Sequence, residues 1–144
     1  MNAPADSLKT LQSHPQPHQT YHRELLNQLL SALKQQMPFC SDNLNENEHN
    51  FLESLTTLCT QMNDSEDDVF KGQELLCKII ANYSHLTPLI ARDLLWFFAG
   101  DCLHFMPDDE INSYQQLDEL RFEAESKGEQ FNYEAARAAI FKLH

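Results

Sequence analysis

The sequence from Thr87 to Glu110 reads TPLIARDLLWFFAGDCLHFMPDDE, and it contains the most apolar segment of the 144-residue chain. Thr87 and Pro88 are typical of a helix start, because threonine caps a first turn and proline is tolerated at the first helical position. Pro107 is expected to end the helix, since a residue before proline disfavours the helical conformation. We therefore predict one central hydrophobic helix over residues 88–106.

Apolar residues recur at helical spacing on both sides of this segment. Prolines, side-chain caps and a glycine mark the ends of the other predicted helices. In chain order these boundaries are Tyr21 and Pro38, Phe51 and Met62, Ser65 and Tyr83, Pro107 and Gly128, and Asn132. No stretch alternates apolar and polar residues as a strand would. The sequence thus predicts an all-α protein, a compact single-domain bundle of about six helices.

The length and the 42% share of hydrophobic residues are enough for one buried core. Residues 1–19 have no apolar period and are predicted to be a disordered tail, so the helical domain covers residues 20–144. That start contains no apolar run of the kind found in signal peptides. A membrane span over residues 88–106 is disfavoured, because Arg92, Asp93 and Asp101 would each cost about 2.5–3.5 kcal/mol in a bilayer. We predict a soluble protein.

The four cysteines show neither a CxxC pair nor the spacing of a zinc knuckle. They are Cys40, Cys59, Cys77 and Cys102. Most of them lie on predicted apolar helix faces, which is typical of reduced, buried thiols in a cytosolic protein. The sequence therefore predicts a cytoplasmic location.

Composition also excludes several function classes. With 10 Lys and Arg against 22 Asp and Glu, the formal net charge is −12, which makes nucleic acid a poor partner. Three glycines cannot build a phosphate-binding loop, and no G-x-S-x-G nucleophile motif is present. Cys102 and His104 are two residues apart and would point in different directions on a helix. We predict no cofactor and lean against an enzyme.

Acidic residues are concentrated in stretches without Lys or Arg. Eight acids occur from Asp42 to Asp68, and seven occur from Asp93 to Leu120. They are either solvated helix faces or a surface that docks a basic protein or imitates nucleic-acid phosphates. The leading functional hypothesis is a small acidic adaptor or regulatory module that binds a protein partner, with a homo-oligomer left open.

An enzyme or small-ligand binder is the alternative hypothesis. On a helix over residues 88–106, polar and aromatic residues would share one mixed face that could wall a pocket. The candidate contact residues are Arg92, Asp93, Trp96, Phe97, Gly100, Asp101 and His104. His104 would be an acid/base or ligand and Asp101 would orient it, although such a pair is also a common structural hydrogen bond.

Metal binding has weaker support. Glu46 and His49 have the ExxH spacing, and Asp101 and His104 have the DxxH spacing, as in carboxylate-bridged di-metal bundles. The two further inward glutamates of such a site are missing, so no metal is predicted. His18 and His22 have helical spacing with His14, but the nearby prolines are expected to prevent a continuous helix there.

The block from Arg92 to Glu110 and the following segment from Tyr114 to Glu119 resemble a family of short, uncharacterised bacterial all-helical proteins. The resemblance continues through Phe131 and Arg137. It implies membership of the family and a helical fold. Some members carry a loose dehydrogenase label, which the glycine content of this chain does not support. No catalytic residue is carried over from the family.

Overall fold

A computed structural model describes residues 17–63 and 65–142, and within them the chain is helical with no strand, which confirms the all-α prediction. The described residues form six α-helices and two 3-10 helices. In chain order these are α1 (Pro17–Leu33), α2 (Glu46–Gln61), α3 (Glu66–Asn82), η1 (Ser84–Leu89), α4 (Arg92–Phe98), η2 (Gly100–Phe105), α5 (Asp108–Ser126) and α6 (Tyr133–Phe141).

Two predictions fall partly outside the described residues. Most of the predicted tail does so, and its last three residues, 17–19, belong to α1. The expectation of no continuous helix through His14, His18 and His22 is wrong for the last two, which both lie on α1. Pro17 occupies the first position of α1, where the backbone N–H that proline lacks would have no helical acceptor. His14 lies outside the described residues. The last two residues of the chain, 143 and 144, also lie outside the described residues, so the end of the helix predicted from Asn132 is not tested.

Local capping signals predicted several boundaries correctly. Ser65 and Asn132 each accept a hydrogen bond from the backbone N–H three residues later. Gly128 has a φ of 69°, the left-handed conformation expected after a helix end. The second helix begins earlier than predicted, at Glu46, because Asn45 and Glu48 form a reciprocal capping box.

The predicted continuous helix over residues 88–106 is wrong. Thr87 and Pro88 lie inside the 3-10 helix η1, where the Ile90 N–H bonds to the Thr87 carbonyl at 3.0 Å, and α4 begins only at Arg92. A second interruption occurs at Ala99 and Gly100, whose φ angles are 56° and 57°. The apolar segment is therefore divided into three short elements.

Contacts with α3 account for the second interruption. A Cβ atom at Gly72 would lie only 2.2 Å from the Phe98 ring, so α3 and α4 can approach only because residue 72 has no side chain. The next residue, Gln73, donates from Nε2 to the Phe98 carbonyl at 2.7 Å. This bond satisfies a carbonyl that the end of α4 leaves without a helical partner.

The core is built around α3 rather than around the 88–106 segment. α3 makes its main contacts with α2, η1, α4 and η2, while α5 packs chiefly against α6. Fully buried side chains come from most of the elements and include Leu33, Phe51, Leu55, Leu76, Ile79, Leu94, Phe98 and Leu117. None of the helices described is both long and apolar enough to cross a membrane.

Cysteine burial agrees only in part with the sequence analysis. All four thiols are free; Cys59 and Cys102 are buried, Cys77 is half-buried and Cys40 is exposed. Burial raises the pKa of the Cys59 thiol to about 11, so this side chain acts as a small apolar group.

Candidate functional site

The mixed face predicted for a helix over residues 88–106 does not form, because α4 ends before Gly100. Asp93 and Phe97 lie on α4 and pack inside the protein, whereas the side chains of Asp101 and His104 are 88% and 80% exposed. The distance from His104 Nε2 to Asp101 Oδ1 is 4.0 Å, and water screens a pair this exposed. The structure does not bring these residues together in one pocket.

Arg92 and Trp96, two other sequence candidates, connect α4 to α5. The Arg92 guanidinium donates to the Glu110 carboxylate, with a shortest distance of 2.7 Å. Trp96 Nε1 donates to Asp118 Oδ2 at 2.9 Å. Both polar groups already have partners, so neither is free to bind an anionic ligand as it stands.

The weak metal candidates are also separate in the structure. His49 Nε2 lies 3.6 Å from Glu53 Oε2, and both side chains are about two-thirds exposed. Across residues 17–63 and 65–142, no three His, Cys, Asp or Glu side chains are grouped as metal ligands would be. Glu46 and His49 do not form a common coordination sphere with Asp101 and His104.

A buried ion pair joins α4 to α6. Arg137 Nε donates to Asp93 Oδ2 at 2.6 Å, and its Nη2 donates to Asp93 Oδ1 at 2.8 Å. Asp93 is only 3% exposed, so this bidentate pair lies largely out of water. The hydrogen bonds to Asp93 raise the pKa of Arg137 above its ordinary value. The geometry fixes how α6 lies against α4.

Beside this pair, His22 is completely buried and has a defined tautomer. Its Nδ1 lies 2.7 Å from the His18 carbonyl, which can only accept, so Nδ1 carries the proton. Nε2 is then the acceptor for the Tyr133 hydroxyl at 3.5 Å. The imidazole also stacks on Phe97, with ring centroids 4.5 Å apart. A neutral His22 thus connects α1, α4 and α6.

Burial keeps both histidines of α1 neutral at pH 7. It lowers the pKa of His18 from 6.5 to about 3, with smaller contributions from His22 and Arg121. Burial also lowers the pKa of His22. The same cause raises the pKa of Tyr133. Near neutral pH this cluster therefore holds imidazoles and phenols in their uncharged forms.

Acid is expected to destabilise the fold through these histidines. In the unfolded chain His18 binds a proton below about pH 6.5, whereas in the fold it stays neutral down to about pH 3. The free energy of unfolding should therefore fall as pH falls through this window, and His18→Gln should flatten its slope by up to about one proton. Urea denaturation at several pH values measures the slope.

The exposed residue His49 is the matched control for this experiment. His49→Gln makes the same substitution at a side chain that is 68% exposed and lies outside this cluster. An unchanged slope in His18→Gln would contradict the neutral state of the half-buried His18.

A cleft of about 830 Å³ opens next to the cluster of His18, His22 and Tyr133. We call it the α1–α6 cleft. Its wall includes His18, Tyr21, Arg121, Phe131, Tyr133 and Glu134. The aromatic part is continuous, since the ring centroids of Tyr21 and Phe131 lie 5.0 Å and 6.4 Å from that of Tyr133. The cleft is large enough for a small organic molecule.

A second concave region runs between α2 and α3. It consists of two adjoining depressions of about 500 Å³ and 410 Å³, and both are lined by Asn50, Ser54 and Lys71. We call their union the α2–α3 groove. Phe70 and Asp101 line the larger depression, so one sequence candidate does reach a concave surface.

Sequence reasoning missed most of the residues around the α1–α6 cleft. Tyr133 and Arg137 are one helical turn apart on α6, and His18 and His22 are one turn apart on α1. Polar and aromatic residues at this spacing on otherwise apolar helix faces were the available signal. The sequence does not show that these helices meet.

The described residues define a single-domain all-α protein that carries the α1–α6 cleft and the α2–α3 groove. A family model described as PA2817-like matches residues 14–143, and the chain belongs to this family. This match supports the family-level resemblance found in the sequence. No curated protein and no solved structure matches the chain.

Proposed function

We propose that this chain is a small acidic adaptor or regulatory module of the bacterial cytoplasm that binds a basic segment of a partner protein. The observation that carries the proposal is the α2–α3 groove, where the exposed ring of Phe70 lines the larger depression and carboxylates outnumber lysines in the smaller one. The resemblance to bacterial proteins supports a bacterial origin, and the free thiols support a cytoplasmic location.

Phe70 is suited to be the apolar anchor of such an interface. Its side chain is 61% exposed on α3, although phenylalanine is ordinarily buried. Aromatic residues in concave surfaces are enriched among the side chains that dominate binding energy. An apolar side chain of the partner that covers this ring would remove it from water.

The charge of the α2–α3 groove selects a basic partner. Two lysines, Lys71 and Lys78, line it, and Lys71 Nζ already lies 3.7 Å from Glu74 Oε2. Five carboxylates line it, from Glu53, Asp67, Asp68, Glu74 and Asp101. Excess negative charge in a concave surface attracts cationic groups and speeds their association.

The alternative of an enzyme or ligand binder centred on Asp101 and His104 has less support. Both side chains are largely exposed and 4.0 Å apart, which leaves neither an oriented imidazole nor a water-free site. Of the other candidates, Asp93 and Phe97 pack against the core, Arg92 and Trp96 pair with α5, and Gly100 is an exposed turn residue.

Replacing Phe70 by serine is expected to weaken partner binding. Truncation of an aromatic anchor costs about 2 kcal/mol, which weakens binding by more than tenfold. The test is affinity capture from a lysate with wild-type and variant protein, followed by titration of the purified partner. Raising salt from about 0.1 M to about 1 M shortens the Debye length from about 10 Å to about 3 Å and should release the partner.

Phe122→Ser is the matched control, since Phe122 is 55% exposed but lies on α5, outside the α2–α3 groove. It should retain the partner. Equal capture by both serine variants, salt-insensitive capture, or no specific partner at either salt concentration would each contradict the proposal.

A further inference from the structure

We propose that the α1–α6 cleft is a binding site for a small organic cation, such as a primary or quaternary ammonium compound. The site shares no lining residue with the α2–α3 groove. The proposal therefore stands or fails independently of the adaptor function.

The wall of the cleft offers aromatic rings of the kind that hold ammonium groups. Tyr21, Phe131 and Tyr133 contribute their rings, and the His18 ring lies 5.1 Å from that of Tyr133. The negative face of an aromatic ring attracts a cation, and clusters of such rings recognise alkylammonium ligands. The volume of about 830 Å³ leaves room for a small molecule between them.

Acidic side chains give the cleft the matching charge. Glu125, Glu129 and Glu134 line it together with a single cation, Arg121. The Arg121 guanidinium is already shared, with Nη1 3.2 Å from Glu125 Oε1 and Nη2 3.6 Å from Asp118 Oδ1. Among the described residues, Glu129 and Glu134 have no ion-pair partner.

The buried histidines add no opposing charge. His18 is in the cleft wall and His22 is directly behind it, and burial lowers the pKa of each. At neutral pH a bound cation would therefore face uncharged imidazoles rather than imidazolium ions.

An anion is the competing ligand for this cleft. Arg121 Nε is buried without an acceptor, and a carboxylate or phosphate could in principle approach it. Two carboxylates already lie within 3.6 Å of the other guanidinium nitrogens, and free glutamates line the rest of the cleft. This balance favours a cation.

The test compares choline with its uncharged isostere 3,3-dimethylbutan-1-ol and with inorganic phosphate. Each is titrated into the full chain at neutral pH and followed by backbone amide shifts in NMR spectra. We expect choline to bind about tenfold or more tightly than the isostere, with shifts confined to the cleft. Equal binding of choline and the isostere, preferential binding of phosphate, or no binding of choline up to about 10 mM would overturn the proposal.

Two variants locate the site. Phe131→Leu keeps apolar bulk but removes a ring, and Glu129→Gln removes one charge. Both should weaken choline binding several-fold and leave the isostere unaffected. Phe122→Leu makes the same ring-to-leucine change outside the cleft and should have no effect. Unchanged choline binding in both cleft variants would also overturn the proposal.

Discussion

Replacing Arg137 by methionine is expected to destabilise the fold by about 3–5 kcal/mol, because it leaves the Asp93 carboxylate buried without its cationic partner. Asp93 is 3% exposed, and the two hydrogen bonds from Arg137 take up both of its carboxylate oxygens. The methionine side chain has nearly the same length, so most of the loss should come from the unpaired charge. Chemical denaturation measures the change.

Arg92→Met is the matched control. Arg92 also binds a carboxylate through two nitrogens, but its side chain is 45% exposed, and that of its partner Glu110 is 21% exposed. Water can solvate Glu110 once the arginine is gone, so we expect a loss of about 1 kcal/mol or less. Equal losses in the two variants would contradict the difference in burial.

A double variant tests whether the loss of stability comes from the unpaired charge or from the lost side-chain volume. If the unpaired charge is the cause, Asp93→Leu combined with Arg137→Met should be more stable than Arg137→Met alone. An additive loss in the double variant would mean that side-chain volume, not charge, is responsible.

Replacing Gly72 by alanine is expected to destabilise the protein by about 2 kcal/mol net, although alanine is the better helix former. The new Cβ atom would lie 2.2 Å from two carbons of the Phe98 ring, which is 1% exposed and has no free space to enter. Overpacking of this kind costs about 3 kcal/mol, and the helix propensity of alanine returns only about 1 kcal/mol. Urea denaturation measures the difference.

Gly128→Ala is the control without a steric contact, because no atom lies within 4 Å of the added Cβ. Its φ of 69° still disfavours alanine, by about 1 kcal/mol. Phe98→Leu should partly rescue Gly72→Ala, since a smaller side chain leaves room for the methyl group. A more stable Gly72→Ala protein would contradict the close approach of α3 and α4.

Sequence patterns predicted structure correctly where the interacting residues lie within one helical turn of each other. Ser65 and Asn132 cap helices through the third following residue, and Gly128 adopts the conformation that a helix end requires. These features depend on neighbours in the chain, so residue type and spacing were enough to place them.

The interruption of the 88–106 segment could not be inferred in the same way. Gln73, which caps the Phe98 carbonyl, is 25 residues earlier in the chain, and Gly72 shows its role only once α3 and α4 are packed together. Two other contacts join residues still farther apart in the chain. Asp93 and Arg137 are 44 residues apart, and His22 and Tyr133 are 111 residues apart. Helical periodicity describes single elements and contains no information on such pairs.

The turn at Ala99 and Gly100 lets one apolar segment contribute to two surfaces that have no lining residue in common. Before the turn, Phe97 supports the aromatic wall through His22; after it, Asp101 enters the α2–α3 groove. In a single continuous helix, the side chains before and after residue 99 would keep a fixed orientation relative to each other. Because the turn separates these two sets of side chains, we expect a substitution at one surface to leave those at the other in place.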